Sequence, residues 1–317
     1  MRKKIITLGE TMAAFAPEKP GMIRYAKGFE WSAAGAESNL AIGVCKLGHR
    51  ASWISQLGED EFGHFVLNTI RAEGVETESV KFSEAYRTGI MFKQVRTGRE
   101  TSVFYYRENS AASHMDESLW DDSIFDGAAI LHLTGITPAL SEECRNLSVS
   151  LAKKAREKGV LFSFDPNIRR KLWKGRDYAP VLRELLLAAD IVLLGLDEAR
   201  ELCGTEDYDE TVTWLFAHGA ARYVAVKDGT RGAYAADRTE KTLIPPYPCN
   251  CVDPVGAGDA FNAAFLCGIL EGKPVGLCGK MGAICGALAT ETFGDTEGYP
   301  TAQMLDALLK EKEVIYR

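Results

Sequence analysis

The sequence contains no apolar run approaching the roughly 18 residues of a membrane span, and no Lys/Arg run of the kind that tracks a phosphate backbone. With a formal net charge of -7, the chain is a poor match to nucleic acid or to a membrane surface, and the charge itself reads as ordinary solubility. Paired cysteine clusters are missing too. The eight cysteines are scattered, several inside apolar stretches (Cys45, Cys267, Cys285), and only Cys249 and Cys251 stand close, as C-N-C. A zinc site would need a second pair, so the plain reading is reduced thiols in a cytosolic protein. The N-terminal MRKKIITLGE has too short an apolar run for a signal peptide and reads as a first strand; the cytoplasm is the expected location. Low-complexity segments, linkers and internal repeats are absent. So are a G-x-G-x-x-G after an early strand, a G-x-S-x-G elbow and H-E-x-x-H. The segment Gly268–Pro274, G-I-L-E-G-K-P, is one residue short of a P-loop and lacks the Ser/Thr after Lys. The five histidines form no cluster, and His132 lies within an apolar run as core histidines do.

What is present is a chain of 46% hydrophobic and 26% charged residues, enough for a sizeable core. Short apolar runs at Lys4–Leu8, Ala51–Gln56, Ala129–Leu133, Leu161–Asp165, Ile191–Leu194 and Tyr223–Lys227 alternate with amphipathic stretches at Ser38–Leu47, Glu61–Glu73, Glu142–Glu157, Ala179–Leu187 and Asp209–His218. That alternation predicts an α/β fold, a doubly wound and mainly parallel sheet with helices on both faces, spanning residues 1–317 as a single domain. In such folds ligands sit beyond the carboxyl ends of the strands, where Glu10, Asp165, Asn167 and Asp228 fall. Residues of about 11–34 and 87–107 break the pattern and read as strands and turns, the second with a hairpin turn at Arg96–Glu100. Together they predict a small β-sheet projecting from the main domain, serving either as a lid over a cleft or as a dimer surface that makes the protein a homo-oligomer.

The segment Asp253–Phe261, D-P-V-G-A-G-D-A-F, carries the most chemistry. A glycine-rich turn opens directly into a helix, so unpaired N–H groups and the positive end of the helix dipole face whatever approaches. This is a site for phosphate or a developing anion. Asp259 sits within it. Two readings of that carboxylate stand side by side: a helix cap, or a base that accepts a proton from an attacking hydroxyl while the amides hold a transferring phosphoryl.

D-P-V-G-A-G-D resembles the C-terminal signature of the ribokinase-like (phosphofructokinase-B type) carbohydrate kinases, and A-G-A-E-S-N-L-A at Ala34–Ala41 resembles their N-terminal signature. The likeness extends over essentially the whole chain. It implies a doubly wound α/β domain with a β-sheet lid, a small-molecule sugar substrate, ATP and Mg²⁺ as cofactors, and K⁺ in many members. At the level of subfamily, G-A-E-S-N, F-Y-Y-R (Phe104–Arg107), L-T-G-I-T-P-A-L, D-P-N-I-R (Asp165–Arg169) and G-D-T-E-G (Gly294–Gly298) resemble the kinases of 2-keto-3-deoxygluconate, which make the 6-phosphate. Carried over residue by residue, the likeness implies that Asp259 is the general base and that the N–H groups of Gly256, Ala257 and Gly258 form the anion hole. Gly35 and Asn39 would touch the sugar, Tyr105, Arg107 and Arg169 would hold its far end with both arginines facing a carboxylate, and Asp295 would bond a hydroxyl. Lys227 with Gly229 and Gly232 of the D-G-T-R-G turn would serve the nucleotide. Glu198 would order Mg²⁺ through water, with Gly195 standing where the family has Asn. Asp253 and the carbonyl of Val255 would hold a monovalent cation. Met91 replaces a tyrosine of the sugar-acid kinases, removing a hydroxyl worth roughly 0.5–1.5 kcal/mol, so a fructokinase or another keto-sugar kinase is the second reading. A non-catalytic sugar or nucleotide sensor is the third, and the intact glycine turn with Asp259 speaks against it.

Overall fold

The computed structural model describes residues 3–96 and 99–314. The hairpin tip expected at Arg96–Glu100 therefore lies partly outside the described residues. Among the described residues, thirteen strands fall into two sheets. In chain order they are β1 (Lys4–Leu8), β2 (Met12–Pro17), β3 (Phe29–Ala34), β4 (Arg50–Gly58), β5 (Val80–Ser83), β6 (Ile90–Arg96), β7 (Arg99–Tyr106), β8 (Ala128–Thr134), β9 (Leu161–Asp165), β10 (Ile191–Gly195), β11 (Tyr223–Lys227), β12 (Ala233–Asp237) and β13 (Lys241–Ile244). The large sheet runs β13-β12-β11-β10-β9-β8-β1-β4-β5, parallel from β11 to β5, with β12 and β13 added antiparallel at one edge. The small sheet runs β3-β2-β6-β7 and is built from the two segments whose patterning departs from strand–helix alternation.

Strand periodicity decides how the large sheet is covered. Ile191 and Leu193 face one apolar core while Val192 and Leu194 face the other; Ile5 and Ile6 of β1 divide in the same way. Helices Ala36–Lys46, Ala257–Leu270 and Val275–Ala289 contribute to the first core, and helices Glu142–Glu157, Ala179–Ala188 and Tyr208–His218 to the second. With side chains alternating across the sheet, both faces must be apolar, which is why the central strands read as continuous hydrophobic runs. The antiparallel edge β12–β13 and the short β5 were not among the expected strands. Each of the two outermost strands carries an exposed lysine, Lys241 on β13 and Lys81 on β5, one of the devices that blunt a sheet edge.

The end of β1 is pinned to the adjacent parallel strand β4 by Trp53, which is fully buried and donates its indole N–H to the Gly9 carbonyl at 3.1 Å, with the Ser55 hydroxyl donating to the same oxygen at 2.8 Å. These bonds fix the turn that carries Glu10 into the cleft. Trp53→Ala should lower the unfolding free energy by about 3–5 kcal/mol, since it removes a large core side chain and leaves a cavity. Urea titration should show this as a fall in midpoint at constant slope.

Candidate active site

The carboxyl ends of β1, β8, β9, β10 and β11 meet the small sheet around a cleft of ≈ 660 Å³. Gly195, Glu198 and Lys227 also border a neighbouring groove of ≈ 600 Å³ that runs on over Asp228–Arg231. The first half holds Gly35, Asn39, Tyr105, Arg107, Arg169, Gly256, Gly258, Asp259 and Asp295 together, although they are spread over most of the chain.

The glycine turn is held from outside. The Thr290 carbonyl accepts the N–H groups of Val252 and Asp253 at 2.7 and 3.1 Å, and the buried Asp253 carboxylate accepts the Val255 N–H at 3.2 Å. Gly256 then takes φ 82°, a left-handed conformation, and a Cβ there would lie 2.1 Å from the Asp295 carbonyl oxygen. Only glycine meets both demands. The Tyr299 hydroxyl donates to the Gly256 carbonyl at 2.8 Å, and the same carbonyl accepts the first intrahelical bond, from Ala260 N–H at 2.9 Å. The N–H groups of Gly258 and Asp259 therefore precede the helical ladder. Ala257 departs from the expected anion hole, because its N–H turns back to the Pro254 carbonyl at 3.4 Å.

Asp259 opens on the cleft, half-buried. Its Oδ2 accepts from Asn39 Nδ2 at 2.9 Å, and the same amide nitrogen donates to Asp295 Oδ2 at 3.2 Å. Desolvation is the largest influence on Asp259 and pushes it up; the Asn39 bond and Arg169 oppose this, Asp165 and Asp295 reinforce it, and the carboxyl comes to about 7. A carboxylate poised there is suited to exchanging a proton near neutral pH. Lys93, which the sequence reading did not single out, reaches from β6 and pairs with Asp295 in a buried contact. The signal for it was parity: Met91 and Lys93 are two residues apart on one strand and share a face.

At the far end of the cleft, the guanidinium of Arg107 is paired with the buried carboxylate of Glu10 and lies 5.6 Å from the centroid of the Tyr105 ring. Both expected arginines line the cleft, in different surroundings. Arg107 is already charge-matched, with its buried Nε lacking a partner, whereas Arg169 is exposed on the cleft wall without an ion pair among the described residues. Gly35 is forced by packing, since a Cβ would stand 2.5 Å from the Glu10 carbonyl. Beneath it Glu37, fully buried, accepts from the Thr134 and Thr137 hydroxyls at 2.6 and 3.1 Å and ties helix Ala36–Lys46 to the end of β8. Burial raises its carboxyl to about 7 despite those bonds.

On the groove side, Lys227 Nζ pairs with Asp165 at 2.6 Å and with Asn262 Oδ1 at 3.1 Å, while Asn262 Nδ2 donates to Asp165 at 2.6 Å. Burial alone would push Asp165 up, but the Lys227 charge and these bonds hold it below the usual carboxylate range. Asn262 was missed; it lies one helical turn after Asp259, on the same face. Gly229 and the neighbouring Thr230 and Arg231 line the groove, whereas Gly232, at φ 99°, closes the turn by accepting the Asp228 N–H at 2.8 Å. Glu198 is occupied by main chain: its two oxygens accept the N–H groups of Ile168 and Gly195, each at 2.7 Å. Burial, then the Asp165 charge, raise it to about 7. Among the described residues no three His, Cys, Asp or Glu side chains converge on a common metal position.

A glycine turn presenting free amides, a carboxylate set among them, and a polar groove alongside define a phosphoryl-transfer site on an α/β sheet. The chain matches the family described as pfkB family carbohydrate kinase over residues 2–302 and belongs to it. It is similar to the 2-dehydro-3-deoxygluconokinase of Bacillus subtilis (strain 168), at 33% identity over 100% of this chain and 98% of that one. It is similar also to probable fructokinase-5 of Arabidopsis thaliana, at 30% identity over 97% of this chain and 98% of the relative. Among solved structures, a sugar kinase from Pyrococcus horikoshii in complex with ATP superposes with a TM-score of 0.83 at 30% identity, covering 98% of each chain.

Gly256→Ala should cost about 1–3 kcal/mol through the disallowed backbone and the clash with Asp295. The expected result is a lowered Tm together with a collapse of turnover, read by calorimetry and a coupled kinase assay.

Proposed function

We propose that this carbohydrate kinase transfers the terminal phosphoryl of ATP to the 6-hydroxyl of 2-keto-3-deoxygluconate. The observation that carries the reading is the charge pattern of the sugar half of the cleft. Glu10 is matched by Arg107 and Asp295 by Lys93, while Arg169 and its neighbour Lys171 line the cavity with no ion pair among the described residues. A monoanionic sugar acid supplies the missing partner in the planar geometry a guanidinium favours. The unpartnered Arg107 Nε offers a further donor, and the buried Asn39 Oδ1, also without a partner, can accept from a sugar hydroxyl. A second reading, fructose or another neutral keto-sugar, is favoured by the apolar Met91 on the pocket wall and by the fructokinase likeness.

In the reaction, the sugar hydroxyl lies against Asp259, which accepts its proton as the oxygen attacks. The amides of Gly258 and Asp259 meet the negative charge on the transferring group, and the small sheet, acting as a lid, keeps water out. Lys227 and the Asp228–Gly232 turn position the nucleotide along the groove. Mg²⁺ fits the site only through water, since both oxygens of Glu198 already accept amides and the phosphates would supply most of its ligands. When bound, the ion neutralises phosphate charge. Behind the turn, Asp253 and the Val255 carbonyl are the candidates for K⁺, a role that would stabilise the loop carrying the amides. The cytoplasm is the proposed location, and the exposed edge of the small sheet the proposed contact of a homo-oligomer.

A panel of keto-sugars and keto-acids assayed with ATP and Mg²⁺ tests the substrate, and brisk turnover of fructose beside negligible turnover of the keto-deoxy acid would overturn it. Arg169→Ala should lower kcat/KM for the acid by roughly 10- to 150-fold, the loss of a hydrogen bond to a charged group, and for fructose by much less. Asp259→Asn should reduce kcat by about 10²–10⁴-fold with substrate binding retained. The base must be ionised to act, so kcat/KM in the wild type should decline as pH falls through about 7, the value to which the Asp259 carboxyl is raised.

A further inference from the structure

The small sheet does more than cover the sugar, because one of its side chains is wired to the reacting end of the cleft. Lys93 is 3% exposed and stands on β6, and its ammonium pairs with Oδ1 of Asp295, which is 4% exposed and belongs to the loop after helix Val275–Ala289. The other oxygen of Asp295 accepts from Asn39 Nδ2, and the second hydrogen of that same nitrogen goes to Asp259. Four residues from four separate segments thus form one unbroken chain of contacts, Lys93–Asp295–Asn39–Asp259.

We propose that Lys93 is a positioning residue for the phosphoryl transfer, fixing and neutralising Asp295 so that Asn39 can hold Asp259 as an ionised base. The physical reason is that two carboxylates within reach of one amide nitrogen repel each other, and repulsion favours protonation of one of them. An ammonium on the outer face of Asp295 cancels most of that field. Asn39 cannot do this, being neutral, and it cannot rotate to another pairing because both neighbours accept and only its NH₂ end donates.

The other charged groups bearing on Asp259 are Asp165, which disfavours its charge, and Arg169, which favours it; Tyr299, packed behind, feels Asp259 in turn. Lys227 lies on the far side of the turn, with its Nζ 4.0 Å from where a Cβ on Gly258 would be, and is committed to Asp165 and Asn262. Lys93 is therefore the one cation among the described residues that is paired directly with Asp295. A buried ion pair missing one partner leaves an uncompensated charge, so its loss should be felt strongly by the nearest titrating group.

The inference rests on Asp259 being the base, and the test separates the two ideas. In full-length, substrate-free protein carrying ¹³C-aspartate, the side-chain carboxyl signal of Asp259, assigned by its loss in Asp259→Asn, is followed against pH. In Lys93→Met its midpoint should rise by about one pH unit, and Lys93→Arg should restore it. Asp295→Asn, which removes the anion itself, should lower it. The acid limb of kcat/KM, measured with whichever acceptor the panel shows to be best, should move with the midpoint. Lys93→Gln keeps an N–H toward Asp295 and carries the same expectation if the Met variant does not fold. An unmoved Asp259 midpoint in the neutral variants overturns the role of Lys93 whatever the kinetics show. A moved midpoint with an unmoved kinetic limb supports Lys93 and overturns Asp259 as the base.

Discussion

Carboxylates crowd the edge of the sheet where the strands end, and a cation, an asparagine side chain or a pair of main-chain amides meets each of them. Asp165 is met by Lys227 and Asn262, Asp295 by Lys93, Glu10 by Arg107, Asp259 by Asn39, and Glu198 by two backbone N–H groups. Unpaired, such a cluster would repel itself apart or take up protons. Even with these partners, burial raises Asp259 and Glu198 to about 7, and Arg169 and Lys171 stand on the cleft wall with no ion pair among the described residues. Of the two raised carboxyls, Glu198 is occupied by main-chain amides while Asp259 shares a single amide nitrogen with Asp295.

The scaffold makes that arrangement possible by bringing distant segments to one edge. Parallel strands deliver their ends on the same side of the sheet, so Glu10, Thr134, Asp165, Gly195 and Lys227 arrive together without any being near another in sequence. The glycine turn is added from the opposite direction and is held by Thr290, Asp253 and Tyr299, none of which faces the cleft. The small sheet contributes Lys93 and Tyr105 across the opening. The chain belongs to the pfkB family of carbohydrate kinases, and Met91, Arg107 and Arg169 stand together on the wall of its cleft.

Much of this was legible in the sequence. The central strands match the expected runs closely, as in Lys4–Leu8, Leu161–Asp165 and Tyr223–Lys227, because a strand buried on both faces has no choice but to be apolar throughout. The small sheet was legible as a break in strand–helix alternation. The glycine turn was legible from its composition, and at Gly256 the backbone tolerates no other residue. The antiparallel strands β12 and β13 were not, since AYAAD is mostly alanine and KTLI exposes both Lys241 and Leu243, so neither shows the continuous apolar run of a central strand.

The sequence by itself determined the class of fold, the position of the anion-binding turn and the residue types available for chemistry, because these depend on periodicity and on local backbone demands. Only the tertiary structure decided who pairs with whom. That Arg107 is neutralised by Glu10, that Glu198 is taken up by two amides, that Ala257 turns its N–H inward and that Lys93 stands behind Asp295 are matters of distance between residues far apart in the chain. Electrostatic energy depends on that separation and on burial, and neither quantity is written in the order of the residues.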